Sequence, residues 1–228
     1  MSKVSKKPAP EASSLSCSNC TVGNCSRLTD SFPSFCLTKN MEEEKVRNVT
    51  ERYIKNPEDR KMAHTSAEVE ADYYGRATRA EEILIFIKKM GYKKVGLVTC
   101  RGLLSECNKF AKVAKAKGID IYSVACKVGA VDKTVIGLRD DQKITPGSHE
   151  SMCNPILQAE LLNERKTDFN IILGLCVGHD SLFIKYSKAP VTYLIVKDRA
   201  LGHNPAAALY CMDSYYKRLL GPDLPKPR

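Results

Sequence analysis

At 228 residues and 43% hydrophobic content, the chain holds enough apolar material for one ordinary core and a small appendage. No apolar run approaches the roughly 20 residues of a membrane span, and the basic start is not followed by the apolar centre of a signal peptide, so a cytoplasmic protein is expected. Half of the formal charge of +10 lies in the two ends, +2 over residues 1–16 and +3 over residues 217–228, and no basic stripe interleaved with aromatics lies between them, which argues against nucleic-acid binding.

Residues 1–16 form a Ser/Lys/Pro/Ala stretch with the composition of a disordered basic tail. Residues 17–40 are poor in aliphatic side chains and cannot be ordered by burial. Cys17, Cys20, Cys25 and Cys36, with two, four and ten intervening residues, therefore predict a knuckle held by a metal. Soft thiolates select zinc or iron–sulfur over hard cations. The spacing matches neither the common ferredoxin runs nor the paired short spacings of a zinc ribbon, so the metal stays open.

Residues 41–92 read as a helical segment. One helix is expected over 40–54, with Glu42, Glu43 and Glu44 in a first turn where they complement the helix dipole. After Pro57 a longer helix is expected from about Ser66 to Met90. Val69, Tyr73, Ala77, Ala80, Leu84 and Ile87 recur there at helical spacing, and Gly91 is the stop.

Residues 93–220 alternate strand and helix. Strands are predicted over 95–99, 119–125, 169–175 and 191–196, and helices near 103–117, from Asn154-Pro155, near 180–187 and from Pro205. An irregular stretch rich in Gly and Asp follows the second strand. The expected fold is a three-layer α/β sandwich with about four parallel strands, preceded by helices and the Cys-rich knuckle; residues 221–228 read as a flexible tail.

Three of the four strands end on a cysteine: Cys100, Cys126 and Cys176. In an open parallel sheet the ligand crevice lies at the carboxyl ends of the strands, and neighbouring ends stand about 5 Å apart. Cys153, just before the Asn154-Pro155 helix start, joins them as a second four-thiol set. A reducing cytosol disfavours a disulfide framework for ten cysteines, so metal or redox chemistry is expected. The candidate cofactors are an iron–sulfur cluster, with the 4Fe–4S type first, and zinc. Cys107 and Cys211 fall within helices and read as core.

Lys127, Lys197 and Arg199 share the same edge, where cations offset thiolate charge, and His179 is a candidate alternate ligand or proton donor. These groups also suit a small anionic ligand. The expected function is redox, electron transfer or cluster handling, with a redox protein as partner. A rival reading takes Gly174-Leu-Cys176-Val-Gly178 as a nucleophile elbow, with Asp198 and His203 following in the order acid then base. Cys176 and His179 are then the catalytic candidates of a hydrolase or transferase. Asp198 and His203 leave the same strand, however, and Cys100 and Cys126 stay unexplained. A third reading is a zinc-bearing module that binds a protein or nucleic acid.

The runs Met152-Cys-Asn-Pro-Ile-Leu-Gln-Ala-Glu160, Gly174-Leu-Cys-Val-Gly-His-Asp-Ser-Leu-Phe183, Lys197-Asp-Arg199 and His203-Asn-Pro205, with the early cysteines, resemble the uncharacterised, cysteine-rich, metal-binding family called domain of unknown function 1847. The likeness runs from about Cys17 to Tyr210. It implies metal binding on Cys17, Cys20, Cys25 and Cys36, and extends that expectation to Cys100, Cys126, Cys153 and Cys176. It implies no substrate.

Overall fold

The computed structural model describes residues 15–27 and 31–226. Residues 1–14 of the expected tail, 28–30 of the expected knuckle and 227–228 lie outside the described residues. The chain divides into two compact units, residues 1–64 and 65–228.

Among the described residues of the first unit, short turns and helices stand in place of a buried core. α1 (Leu37–Asn40) follows the cysteine-rich segment, and α2 (Glu43–Lys55) opens on Glu43 and Glu44 and closes on Arg52 and Lys55, charges placed to oppose the helix dipole at each end. Neither helix buries a residue. α3 (Pro57–Tyr73) starts at its proline, and Asn56 Oδ1 accepts from Glu58 N and Asp59 N.

The long helix expected from Ser66 to Met90 is two helices. Gly75 takes a left-handed φ of 67°, and Thr78 opens α4 (Arg79–Met90) with a capping box in which Glu81 closes back on the Thr78 backbone. Satisfying free N–H groups with Thr78 and Glu81 makes a fresh start favourable at that point. Gly91, at φ 78°, ends α4 as expected.

β1 (Val95–Thr99), β2 (Ile121–Ala125), β3 (Phe169–Leu173) and β4 (Val191–Ile195) form one parallel sheet in the order β2-β1-β3-β4. β1 and β3 are buried at every position, the pattern of central strands covered on both faces. β2 and β4 are partly exposed edges. Opposite β4, β3 is one residue short: Ile172 pairs with Tyr193 and Leu173 with Ile195, so Leu194 has no partner.

α5 (Leu104–Ala116) connects β1 to β2, α6 (Pro155–Glu164) connects β2 to β3, and α7 (His179–Tyr186) connects β3 to β4. The step from β1 to β2 and the step from β2 back past β1 to β3 run in opposite directions. Right-handed crossovers therefore place α5 on one face and α6 with α7 on the other, where α6 and α7 pack together. α8 (Ala206–Tyr210) closes the fold. Gly96 lets the sheet meet that second face closely: a side chain there would collide with Asn170 and Leu162. The core is continuous from Ile83 to Phe183, and at its amino edge Tyr92 stacks on Phe169 with centroids 5.3 Å apart.

Candidate functional site

Because the chain leaves β1 toward β2 but returns on the other side to β3, the connections after β1 and β3 diverge. That is the topological switch point at which parallel sheets open a crevice. The carboxyl ends of these strands carry the thiols. Cys100 follows β1, Cys126 follows β2, and Cys176 follows β3 after Gly174, whose φ of 73° turns the chain where a side chain would collide with Leu103.

Between β2 and α6 the chain makes a long flap, residues 127–152, built of turns and 3-10 segments. Charges secure it. Lys143, with its side chain almost wholly buried, pairs with Asp132 at 3.2 Å and Asp140 at 3.0 Å, and Lys133 pairs with Glu150. Hydrogen bonds from Thr134 N and Glu150 N hold the Asp132 carboxyl well below the usual carboxylate range. The flap returns Cys153 to the sheet edge, where Asn154 N donates to Cys126 O at 2.7 Å and the Asn154 side chain caps α6.

The thiols act on one another. Cys153 Sγ lies 3.7 Å from Cys126 Sγ. The neighbouring Cys126 thiol and burial push the Cys100 thiol up to about 12. Cys126 is drawn down by Cys100, but Cys153 and burial leave it raised overall. At the open end the hydrogen bond with Cys126 brings Cys153 down to about 7, against burial, with help from the Lys127 charge. Arg101 N donates to Cys126 Sγ at 3.3 Å. The thiols thus differ in acidity, Cys100 holding its proton most firmly and Cys153 least.

Cys176 completes the edge. Arg199 Nη2 donates to its sulfur at 2.9 Å, an interaction that raises the arginine pKa further. Lys197 acts electrostatically on Cys100, and Lys127 Nζ donates to Ser151 O, clamping the end of the flap. His179, the first residue of α7, has a buried Nδ1 with no hydrogen-bond partner. Burial, then the Lys127 charge, lowers its pKa. Soft sulfur donors, cations to offset their charge, a backbone N–H on one sulfur and an unpartnered imidazole nitrogen are the donor chemistry that iron–sulfur and zinc centres use. As these side chains stand, no group of three His, Cys, Asp or Glu among the described residues is disposed to hold a metal ion.

In the knuckle, Cys20 N donates to Cys17 O at 3.0 Å, Cys25 rides on a 3-10 turn after left-handed Gly23, and Cys36 precedes α1. Ser16 N donates to Phe35 O at 3.3 Å, joining the ends of the segment beside Cys17 and Cys36. The first three thiols are exposed and Cys36 is half-buried, its pKa lowered first by a backbone hydrogen bond from Lys39.

Asp198 and His203 close a loop on each other. Asp198 N donates to His203 Nδ1 at 3.1 Å, His203 N donates to Asp198 O at 2.9 Å, and the Asp198 carboxylate accepts from Ala200 N and Leu201 N. These contacts employ them in shaping the loop that aims Arg199, rather than as an acid–base relay on Cys176. Cys107 lies in the core, while Cys211 is half-buried at the end of α8. Sequence reasoning missed Arg101 and Gln158, whose fully buried amide donates to Val124 O at 2.7 Å beneath the thiols. A glutamine on the apolar face of α6 was the available signal.

No helix among the described residues is long and apolar enough to cross a membrane. No solved structure matches the chain. An uncharacterised protein of Methanocaldococcus jannaschii is 50% identical over 186 residues, covering 81% of this chain and 93% of that one. The family described as protein of unknown function (DUF1847) matches residues 36–194, from Cys36 into β4. The chain belongs to that cysteine-rich family of unknown function.

Proposed function

We propose that this is a metal-binding protein whose thiols at the carboxyl edge of the sheet hold an iron–sulfur cluster for redox, electron-transfer or cluster-handling work. Cys100, Cys126, Cys153 and Cys176 would be its ligands, and when bound the group supplies one-electron chemistry. The observation that carries this reading is the 3.7 Å approach of the Cys126 and Cys153 sulfurs at the sheet edge where Cys100 and Cys176 also end their strands, four thiols from distant parts of the chain. Lys127, Lys197 and Arg199 offset the negative charge of the thiolates, and the Arg101 N–H tunes one sulfur. Cys17, Cys20, Cys25 and Cys36 would hold a second metal, zinc or a further cluster. Val177 is 94% exposed next to Cys176, whose sulfur accepts from Arg199, and an exposed apolar side chain following that charged pair suits an acidic redox partner or the apolar part of a small anion.

The test is anaerobic purification followed by iron, zinc and acid-labile sulfide analysis of the full chain, Cys126→Ser and Cys17→Ser. Iron and sulfide are expected in the full chain and in Cys17→Ser, and their loss in Cys126→Ser. A colourless protein holding zinc alone overturns the iron–sulfur reading.

One observation favours a second reading, a Cys176 nucleophile in a hydrolase or transferase: the Arg199 guanidinium is bound directly to that sulfur, three residues before the unpartnered Nδ1 of His179. Electrophile labelling confined to Cys176, with activity toward an acyl substrate surviving Cys100→Ser and Cys126→Ser, would establish it.

A further inference from the structure

Cys126 and Cys153 meet at the neck of the flap, and their geometry has a use that requires no metal. Their sulfurs lie 3.7 Å apart. The backbone is already joined there, because Asn154 N donates to Cys126 O at 2.7 Å. A disulfide needs its sulfurs at about 2.05 Å, so the gap to close is roughly 1.7 Å, within the sweep of a thiol about its own Cα–Cβ bond.

The two thiols are unequal in access. Cys126 is 2% exposed, whereas Cys153 is half-buried at the edge of the flap. A molecule arriving from solvent meets Cys153 first, and only then does Cys126 come into play. Arg101 N donates to Cys126 Sγ at 3.3 Å, which stabilises charge on that sulfur whenever it departs as a thiolate.

We propose that Cys153 and Cys126 form a thiol–disulfide exchange site for small disulfides, Cys153 attacking and Cys126 resolving. The Cys153 thiolate attacks one sulfur of the small disulfide, forming a mixed disulfide and expelling the other half as a thiolate. Cys126 then gives up its proton and attacks the Cys153 sulfur, expelling the second half. Two cysteine thiols are oxidised by two electrons, and one small disulfide is reduced to two thiols. In reverse, an incoming thiolate opens the pair at Cys153 and Cys126 leaves. The product ties both ends of the flap covalently, and a metal bound to either sulfur blocks the exchange.

The full chain, reduced, chelator-treated and freed of reductant under nitrogen, is incubated with oxidised glutathione. Remaining thiols are alkylated and peptides are mapped by mass spectrometry. A Cys126–Cys153 cross-link with two glutathiones released per disulfide consumed is expected. The Cys126→Ser chain stops with glutathione on Cys153, and the Cys153→Ser chain leaves Cys126 unlinked. A Cys100–Cys126 link, a wild-type chain that stops at the glutathione adduct, or no reaction at Cys153 overturns the proposal. The exchange is read on metal-free protein, so its failure is distinct from a failure to find iron or sulfide.

Discussion

Cys100, Cys126 and Cys153 each have their own protonation state, set by their neighbours. Thiolate is the reactive form, so alkylation follows each thiol's own titration. In metal-free protein, Cys153 labelling by iodoacetamide is expected to rise through about pH 7, and Cys100 is expected to resist until about pH 12. Peptide-resolved labelling across pH checks both; equal profiles for the two would contradict the opposite effects that Cys126 has on its two neighbours. The positions of Cys100, Cys126 and Cys176 were legible because each closes an apolar strand run, and Cys153 because it precedes a helix start. The 3.7 Å pairing of Cys126 with Cys153 was not, because it depends on how the flap returns. His203 was misleading for the same reason: its ring nitrogen accepts from the loop's own backbone, a contact no spacing reveals.

Elements begin and end where free backbone groups find partners. Thr78→Ala removes one half of the capping box on α4 and is expected to cost about 1 kcal/mol in denaturant unfolding. Gly174→Ala meets both a left-handed backbone and the Leu103 side chain, and a loss of about 2–4 kcal/mol is expected in the same measurement. An unchanged midpoint in either variant would refute the corresponding role. The break between α3 and α4 was hidden because Val69 to Ile87 keeps helical spacing across it, and an apolar period does not register a cap. The ends of α4 and α6 were clearer, since Gly91 and Asn154-Pro155 act through local chemistry.

At the scale of the whole chain, every member of the buried cluster falls between Ile83 and Phe183, within the second unit. Removing residues 1–40 is therefore expected to leave the thermal transition and the pH profile of Cys153 labelling unchanged; a collapse of either would show that the sheet edge depends on the knuckle. The flap has a different vulnerability. The depressed Asp132 carboxyl contributes stability above the ordinary carboxylate pKa, and this is lost as pH falls below it toward the folded value. Amide exchange over residues 131–152 is expected to quicken on acidification before exchange in β1 does, and Asp132→Asn to show the quick pattern already at neutral pH. Parallel strands with crossover helices could be read from alternating patterns, but the order β2-β1-β3-β4 could not, since it depends on which way each crossover turns.

The unpaired Leu194 has an effect beyond its own strand. Side chains of a strand alternate sides, so one surplus residue inverts the parity of everything downstream. With that inversion in place, the ammonium of Lys197 reaches past β3 to Gly102, close by the Cys100 sulfur. A slip that paired Leu194 with Leu173 instead would turn the lysine to the sheet's far side, stripping a counter-ion from the sulfurs while touching none of them.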